Sequence, residues 1–207
     1  MSTKSLSQSE LKKILKEVIE VSKLAGEKLL RYQKKINTLK IDYKEAQGVV
    51  SEADVNTENF IIKKLKKVLT EAKFLAEESC YNNQDAFCET SEGLLWVIDP
   101  LDGTTNFLNG MDVYGVCISL CFNGKPLLGV IHRPRTGDTY FAIKGGGAFL
   151  QKDNGRAKKL IKNSTKSKKL SDCLLATGFA TEKGEPFDKE FKLFKDRTNN
   201  FFFFLYF

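Results

Sequence analysis

The stretch Trp96-Val97-Ile98-Asp99-Pro100-Leu101-Asp102-Gly103-Thr104-Thr105-Asn106 decides how this chain is read. The apolar run from Leu94 to Ile98 has the character of a buried strand. It delivers Asp99 at its carboxyl end. Pro100 removes a backbone donor and stiffens the exit, so the strand is expected to stop at Asp99-Pro100. Asp102 follows three positions later. Gly103 lets the backbone approach a ligand closely, and Thr104-Thr105 then opens a short helix or turn. Two carboxylates placed this way can hold hard divalent cations through oxygen. Free backbone N–H groups at a helix start can hold phosphate oxygens. Taken alone, Asp-Pro-x-Asp-Gly is an ordinary surface turn, because Asp, Pro and Gly each favour turns.

Two features further out change that reading. Phe74-Leu75-Ala76 reads as a short strand ending in a second set of acids, Glu77-Glu78-Ser79. On strand alternation Glu78 should point away from Glu77. Asp54, in Val49-Val50-Ser51-Glu52-Ala53-Asp54, opens a helix. Three acidic element ends can converge on one edge of a layered fold. Carboxylates that close repel one another, and cations are the natural compensation.

The remaining elements follow from period and turn chemistry. Leu11, Ile14, Leu15, Val18, Val21, Leu24, Ala25 and Leu29 recur at helical spacing, which predicts a helix over about Ser9 to Tyr32. Val55, Ile61, Ile62, Leu65 and Leu69 predict a second, over about Glu52 to Leu69. Polar segments at Gln47-Gly48 and from Tyr81 to Glu92 read as loops. Val113 to Phe122 and Pro126 to Ile131 are strands joined by Asn123-Gly124, a strong hairpin signal. Thr139 to Ala142 and Ala148 to Leu150 flank Gly145-Gly146-Gly147, and Asp153-Asn154-Gly155 is a further turn. Cys173 to Thr177 reads as a strand of a second sheet and Phe187 to Phe194 as a helix, with nothing after them to complete that sheet.

The fold class is therefore α+β: a layered α/β sandwich with a mostly antiparallel sheet and two N-terminal helices, followed by an incomplete second α/β sheet. The expected division is residues 1–160 as the domain carrying the acidic motifs and 161–207 as the start of a second domain.

The 207 residues allow one ordinary domain with a sizeable core, or one domain and part of another. The net charge of +7 comes from lysines expected on solvated helix faces. The densest basic run, Lys158 to Lys169, has no interleaved aromatics for stacking on bases. No nucleic-acid partner is expected. The five cysteines, Cys80, Cys88, Cys117, Cys121 and Cys173, are odd in number and include no Cys-x-x-Cys pair. That argues against a disulfide framework or structural zinc and for buried free thiols. With His132 the only histidine, no Cys-His or Ser-His system can be assembled elsewhere in the chain. The polar N-terminus has no apolar signal core, and the terminal Phe201 to Phe207 is too short to span a bilayer. No membrane partner and a cytoplasmic location are expected.

Trp96 to Phe107 resembles the signature of the inositol monophosphatase family. Phe74 to Ser79 resembles its acidic motif, with Ala76 at the usual Gly position. Val49 to Asp54 resembles its Val-Thr-x-x-Asp motif, with Ser51 for Thr. Gly129 to Pro134, Phe141 to Phe149 and Leu174 to Phe179 follow in the family's order, so the resemblance covers roughly residues 10 to 180.

The resemblance implies a magnesium-dependent phosphomonoesterase for inositol monophosphate or a similar small sugar phosphate. It implies Mg2+ held by Glu77, Asp99, the Leu101 carbonyl and Asp102, with Asp99 bridging two ions and Asp102 also reaching a substrate hydroxyl. Gly103 and Thr104 would donate backbone N–H groups to the phosphate. Thr104, with Glu77 or Asp54, would position the attacking water for direct in-line displacement without a phosphoenzyme. A homodimer is a further expectation, with no interface assignable from the sequence.

The chain also departs from the family pattern. Trp96 is its single tryptophan, so the family's later Trp-Asp pair, which supplies another ligand to the second ion, is missing. A truncated or frameshifted gene product is the expectation. Alternatives are a 3'(2'),5'-bisphosphate nucleotidase and an inactive truncated member. Thr105-Asn106 favours the first reading over the nucleotidase, which often carries Lys-Glu there.

Overall fold

The computed structural model describes residues 6–44, 48–81, 92–161, 175–177, 188–189, 192 and 204–206. The chain divides into two compact units, one of residues 1–42 and 50–161, the other of residues 43–49 and 162–207.

The first unit begins with α1, Gln8–Gln33. Ser7 caps it: its side chain accepts from the Glu10 N–H while Glu10 reaches back to the Ser7 N–H. The predicted apolar stripe is the buried one, from Leu11 through Leu29. Leu24 is the exception at 39% exposed, because it lies at the edge of that stripe. Next along the chain, including residues 43–49 of the other unit, come β1, Ile41–Lys44, and β2, Gly48–Ser51, which form a two-stranded sheet. The helix α2, Glu52–Leu65, starts at the Ser51 cap. It stops short of the expected Leu69 and continues as turns. Val55, expected on the apolar side, is exposed, since the buried face carries Asp54, Thr57, Glu58 and Ile61 instead.

Seven strands form the main sheet in simple sequence order. They are β3, Lys73–Ala76; β4, Leu94–Asp102; β5, Gly115–Phe122; β6, Lys125–Arg133; β7, Asp138–Ile143; β8, Gly147–Lys152; and β9, Lys158–Lys159. Only β3–β4 is parallel, and the other five pairings are antiparallel. At the β5–β6 turn, φ is 48° at Asn123 and 71° at Gly124, the geometry that Asn-Gly supplies for a two-residue hairpin. Helix α1 packs across β5, β6 and β7, and α2 packs on β4 and α1. Trp96, Phe107, Val116, Ile118, Leu120 and Val130 close the core beneath them. Within this unit the layered, mostly antiparallel α+β architecture with two N-terminal helices is the observed one.

Three local expectations are corrected. The fourth strand does not stop at Asp99-Pro100. It runs on to Asp102, with an irregularity between Asp99 and Asp102 that absorbs the missing proline donor. Glu77-Glu78-Ser79 is not a strand end but the first turn of α3, Glu77–Tyr81. Glu77 is exposed and Glu78 buried because a helical turn rotates them apart, not because a pleat alternates them. Lys158-Lys159 is not on a helix face but forms the outer edge strand, a common place for lysine.

In the second unit, β10, Leu175–Thr177, pairs in parallel with β11, Phe204–Tyr206. The aromatic end thus supplies a strand that the sequence reading did not foresee. Cys173 lies outside the described residues, as do Cys88, Gln47, most of the loop before Glu92 and most of Lys158 to Lys169. Of the helix expected at Phe187 to Phe194, Asp188, Lys189 and Lys192 are described and helical.

Candidate active site

The parallel register of β3 and β4 builds the site. Ala76 pairs with Ile98, so the next residues, Glu77 and Asp99, emerge side by side where the parallel pairing ends, Glu77 just past β3 and Asp99 still within β4. On the far side of β4, Asp99 pairs with Cys117 and Asp102 with Gly115. Burial pushes the Asp99 carboxyl well above the usual carboxylate range. The negative charges of Glu77 and Asp102, and a hydrogen bond with the Glu77 carboxyl, push it the same way. The Leu101 N–H donates to Asp99 Oδ1 at 3.1 Å and works in the opposite direction.

After Asp102 the chain turns at Gly103, where φ is 93°. A Cβ there would lie 2.9 Å from the Val113 carbonyl oxygen, so both conformation and space call for glycine. The short helix α4, Thr104–Leu108, begins at once. It is pinned by the buried Phe107 ring, edge-on to Tyr114 with centroids 5.1 Å apart. The Asn106 side chain donates to the Val113 carbonyl at 2.8 Å and holds the far end of the loop.

Thr104 Oγ1 faces two acceptors, Asp54 Oδ1 at 2.8 Å and the Leu101 carbonyl at 3.0 Å. One hydroxyl carries one proton, and the carboxylate is the stronger acceptor. Asp54 itself is 1% exposed. Its Oδ2 accepts from the Ser51 N–H at 2.8 Å and the Ser51 hydroxyl at 2.6 Å. Burial raises its pKa, while the bonds from Ser51 and Thr104 oppose the shift. Ser51 caps α2 as a threonine would, since the hydroxyl is the part used.

The structure thus brings together all the site residues named from the sequence: Asp54 with Thr104 and Leu101, Asp99 with Glu77 and Asp102, and Gly103 between the two groups. It associates Thr104 with Asp54, the partner left open against Glu77. Two neighbours escaped the sequence reading. Cys117 Sγ lies 4.0 Å from Asp102 Oδ2. Burial pushes this thiol up to about 12, with the Asp102 and Asp99 charges adding, which keeps it protonated and un-nucleophilic. Cys80, Cys117 and Cys121 are free but half-buried rather than buried. Glu58, four positions after Asp54 and so on the same helix face, is 2% exposed. The Asp54-x-x-x-Glu58 spacing was the available signal. His132 sits elsewhere, with Nδ1 2.9 Å from Thr139 Oγ1.

Among the described residues, no three His, Cys, Asp or Glu side chains form a closed metal cluster. What the site offers is an acidic pair, a third carboxylate acting on it and a backbone carbonyl, all of them oxygen donors. Their mutual repulsion and the raised Asp99 are what a hard divalent cation would relieve, so the donor set fits magnesium in its chemistry. A cavity of about 460 Å³ touches the site through Asp99 and Cys117. The rest of its wall, including Val97, Ile131, Tyr140 and Phe149, is too apolar to hold a phosphate.

Two helices backing a mostly antiparallel sheet, with carboxylates gathered where its parallel pair ends, define a layered α+β protein with an acidic site at one sheet edge. A model of the inositol monophosphatase family matches residues 10–200, and the chain belongs to that family. It is 35% identical over 145 residues to the 3'(2'),5'-bisphosphate nucleotidase CysQ of Aggregatibacter actinomycetemcomitans, over 70% of this chain and 52% of that protein. It is 36% identical over 168 residues to inositol monophosphatase 3 of Solanum lycopersicum, over 80% of this chain and 58% of that protein. The crystal structure of extragenic suppressor protein SuhB from Bartonella henselae superposes with a TM-score of 0.75 at 27% identity, over 94% of this chain and 70% of that one. The chain therefore spans little more than half the length of these two curated relatives. Among the described residues no helix is long and apolar enough to cross a membrane.

Proposed function

We propose that the protein to which this chain corresponds is a magnesium-dependent phosphomonoesterase acting on inositol monophosphate or a similar small sugar phosphate. The observation that carries the reading is the Asp54–Thr104 hydrogen bond, set beside the Glu77–Asp99 pair. Glu77, Asp99, the Leu101 carbonyl and Asp102 would hold Mg2+. When bound, the ion supplies charge neutralisation for phosphate and leaving group and lowers the pKa of water.

The chain's own residues do the rest. Asp54 takes the Thr104 proton into a hydrogen bond and leaves a lone pair on Oγ1 free to accept from a water molecule. That fixes the water's orientation for attack on phosphorus. Gly103 and Thr104 present backbone N–H groups to the phosphate oxygens. Asp102 reaches a substrate hydroxyl. Displacement by water is direct, without a phosphoenzyme, because Trp96 to Phe107 contains no Cys, His or Ser to serve as a nucleophile.

A second substrate class, the 3'(2'),5'-bisphosphate nucleotides, is favoured by the likeness to CysQ. Phosphate release from inositol 1-phosphate and from adenosine 3',5'-bisphosphate, each with and without Mg2+, tests both readings. The expected result is Mg2+-dependent release from inositol 1-phosphate. Release confined to the nucleotide selects the second class, and no release from either substrate by the folded protein contradicts the proposal.

A further inference from the structure

Glu58 is buried and takes no part in the chemistry above, yet it holds one side of the site. Its Oε2 accepts from the Glu78 N–H at 2.7 Å, and its Oε1 from the Ser79 N–H at 2.9 Å and from the Ser79 hydroxyl. These donors belong to the first turn of α3, whose N–H groups have no partner inside the helix. A carboxylate is favoured there by the positive end of the helix. The residue that begins this turn is Glu77.

Helix α2 therefore grips both halves of the site from one face. Asp54 holds Thr104, and one turn later Glu58 holds the turn that carries Glu77. Burying a carboxylate is costly unless its oxygens are matched, and all three bonds to Glu58 are spent on this one turn.

We propose that Glu58 is a positioning residue that fixes residues 77–79 so that the Glu77 carboxylate is held beside Asp99 for a divalent cation. The inference rests on the reading of Glu77 and Asp99 as cation ligands. Its effect passes through backbone, since Glu58 bonds the amides that follow Glu77 and not the carboxylate itself.

The test is Mn2+ titration of the full chain, followed by the paramagnetic resonance of the free ion, for the wild type, Asp99→Asn, Glu58→Gln and Glu58→Asp. Amide hydrogen exchange at Glu78 and Ser79 is measured alongside. The wild type should bind and Asp99→Asn should not. Glu58→Gln should weaken binding about ten- to a hundredfold and speed exchange at both amides. Glu58→Asp keeps the charge and shortens the reach, so it should weaken binding as well, which separates positioning from a general loss of negative charge. Faster exchange at residues 78 and 79 with unchanged Mn2+ affinity would overturn the inference while leaving the carboxylate reading intact. Absence of Mn2+ binding by the wild type would remove both. Should neither Glu58 variant fold, Ser79→Ala deletes only the hydroxyl bond. A severalfold weaker Mn2+ affinity then supports the inference, and an unchanged one overturns it.

Discussion

Thr104 Oγ1 lies 2.8 Å from Asp54 Oδ1, although the two residues are 50 positions apart. Asp54 is held from behind by both the N–H and the hydroxyl of Ser51. The threonine is thereby oriented by a carboxylate that cannot easily turn away. Replacing Thr104 by Ala should lower kcat about a hundredfold or more, the usual worth of a positioned proton-handling group. Thr104→Ser should keep most of the activity. Steady-state kinetics at saturating Mg2+ distinguish the two.

Asp54→Asn should be costly in two ways, because Asp54 is also the returning half of the α2 capping box. Loss of such a cap costs about 1 kcal/mol, measurable by urea denaturation, and kcat should fall as it does in Thr104→Ala. A normal kcat in a stably folded Asp54→Asn protein would show that Asp54 serves the helix alone.

Gly103→Ala should cost about 1–3 kcal/mol, since the residue sits at φ 93° and a Cβ would meet the Val113 carbonyl at 2.9 Å. Urea denaturation measures the loss. Because Gly103 lies between Asp102 and Thr104, activity should fall by more than the loss of folded protein explains.

His132 is held neutral: burial first, and the Lys23 charge second, lower its pKa from 6.5 to about 4. Below pH 6.5 the unfolded chain takes up a proton that the folded chain refuses. Stability should therefore fall as pH drops from about 6.5 to about 4 and level off below that, by up to roughly 3 kcal/mol from this group. Above pH 6.5 this group contributes no pH dependence. Urea denaturation across that window should show a flatter profile for His132→Asn than for the wild type.

Much of this was legible in the sequence. The α1 stripe, the Asn123-Gly124 hairpin and the Gly103 turn are local, and each is written in residues whose period or φ preference is strong. What packs against an element is not written in its own period. Val55 has helical spacing but faces solvent, because α2 turns Asp54 and Glu58 inward to meet α4 and α3. Pro100 reads as a strand end, but the core holds Leu101 in β4 at 1% exposed, and the strand accommodates the proline by an irregularity. The first turn of α3 is bonded by Glu58, some 20 residues earlier, and local period does not join residues that far apart.

The central claim, that these carboxylates and Thr104 form a metal-dependent phosphatase site, is tested most directly by phosphate release from inositol 1-phosphate, with and without Mg2+, beside Asp99→Asn. The account predicts release only with Mg2+, abolished by Asp99→Asn in a protein that still folds. Equal release by the wild type and Asp99→Asn would contradict it.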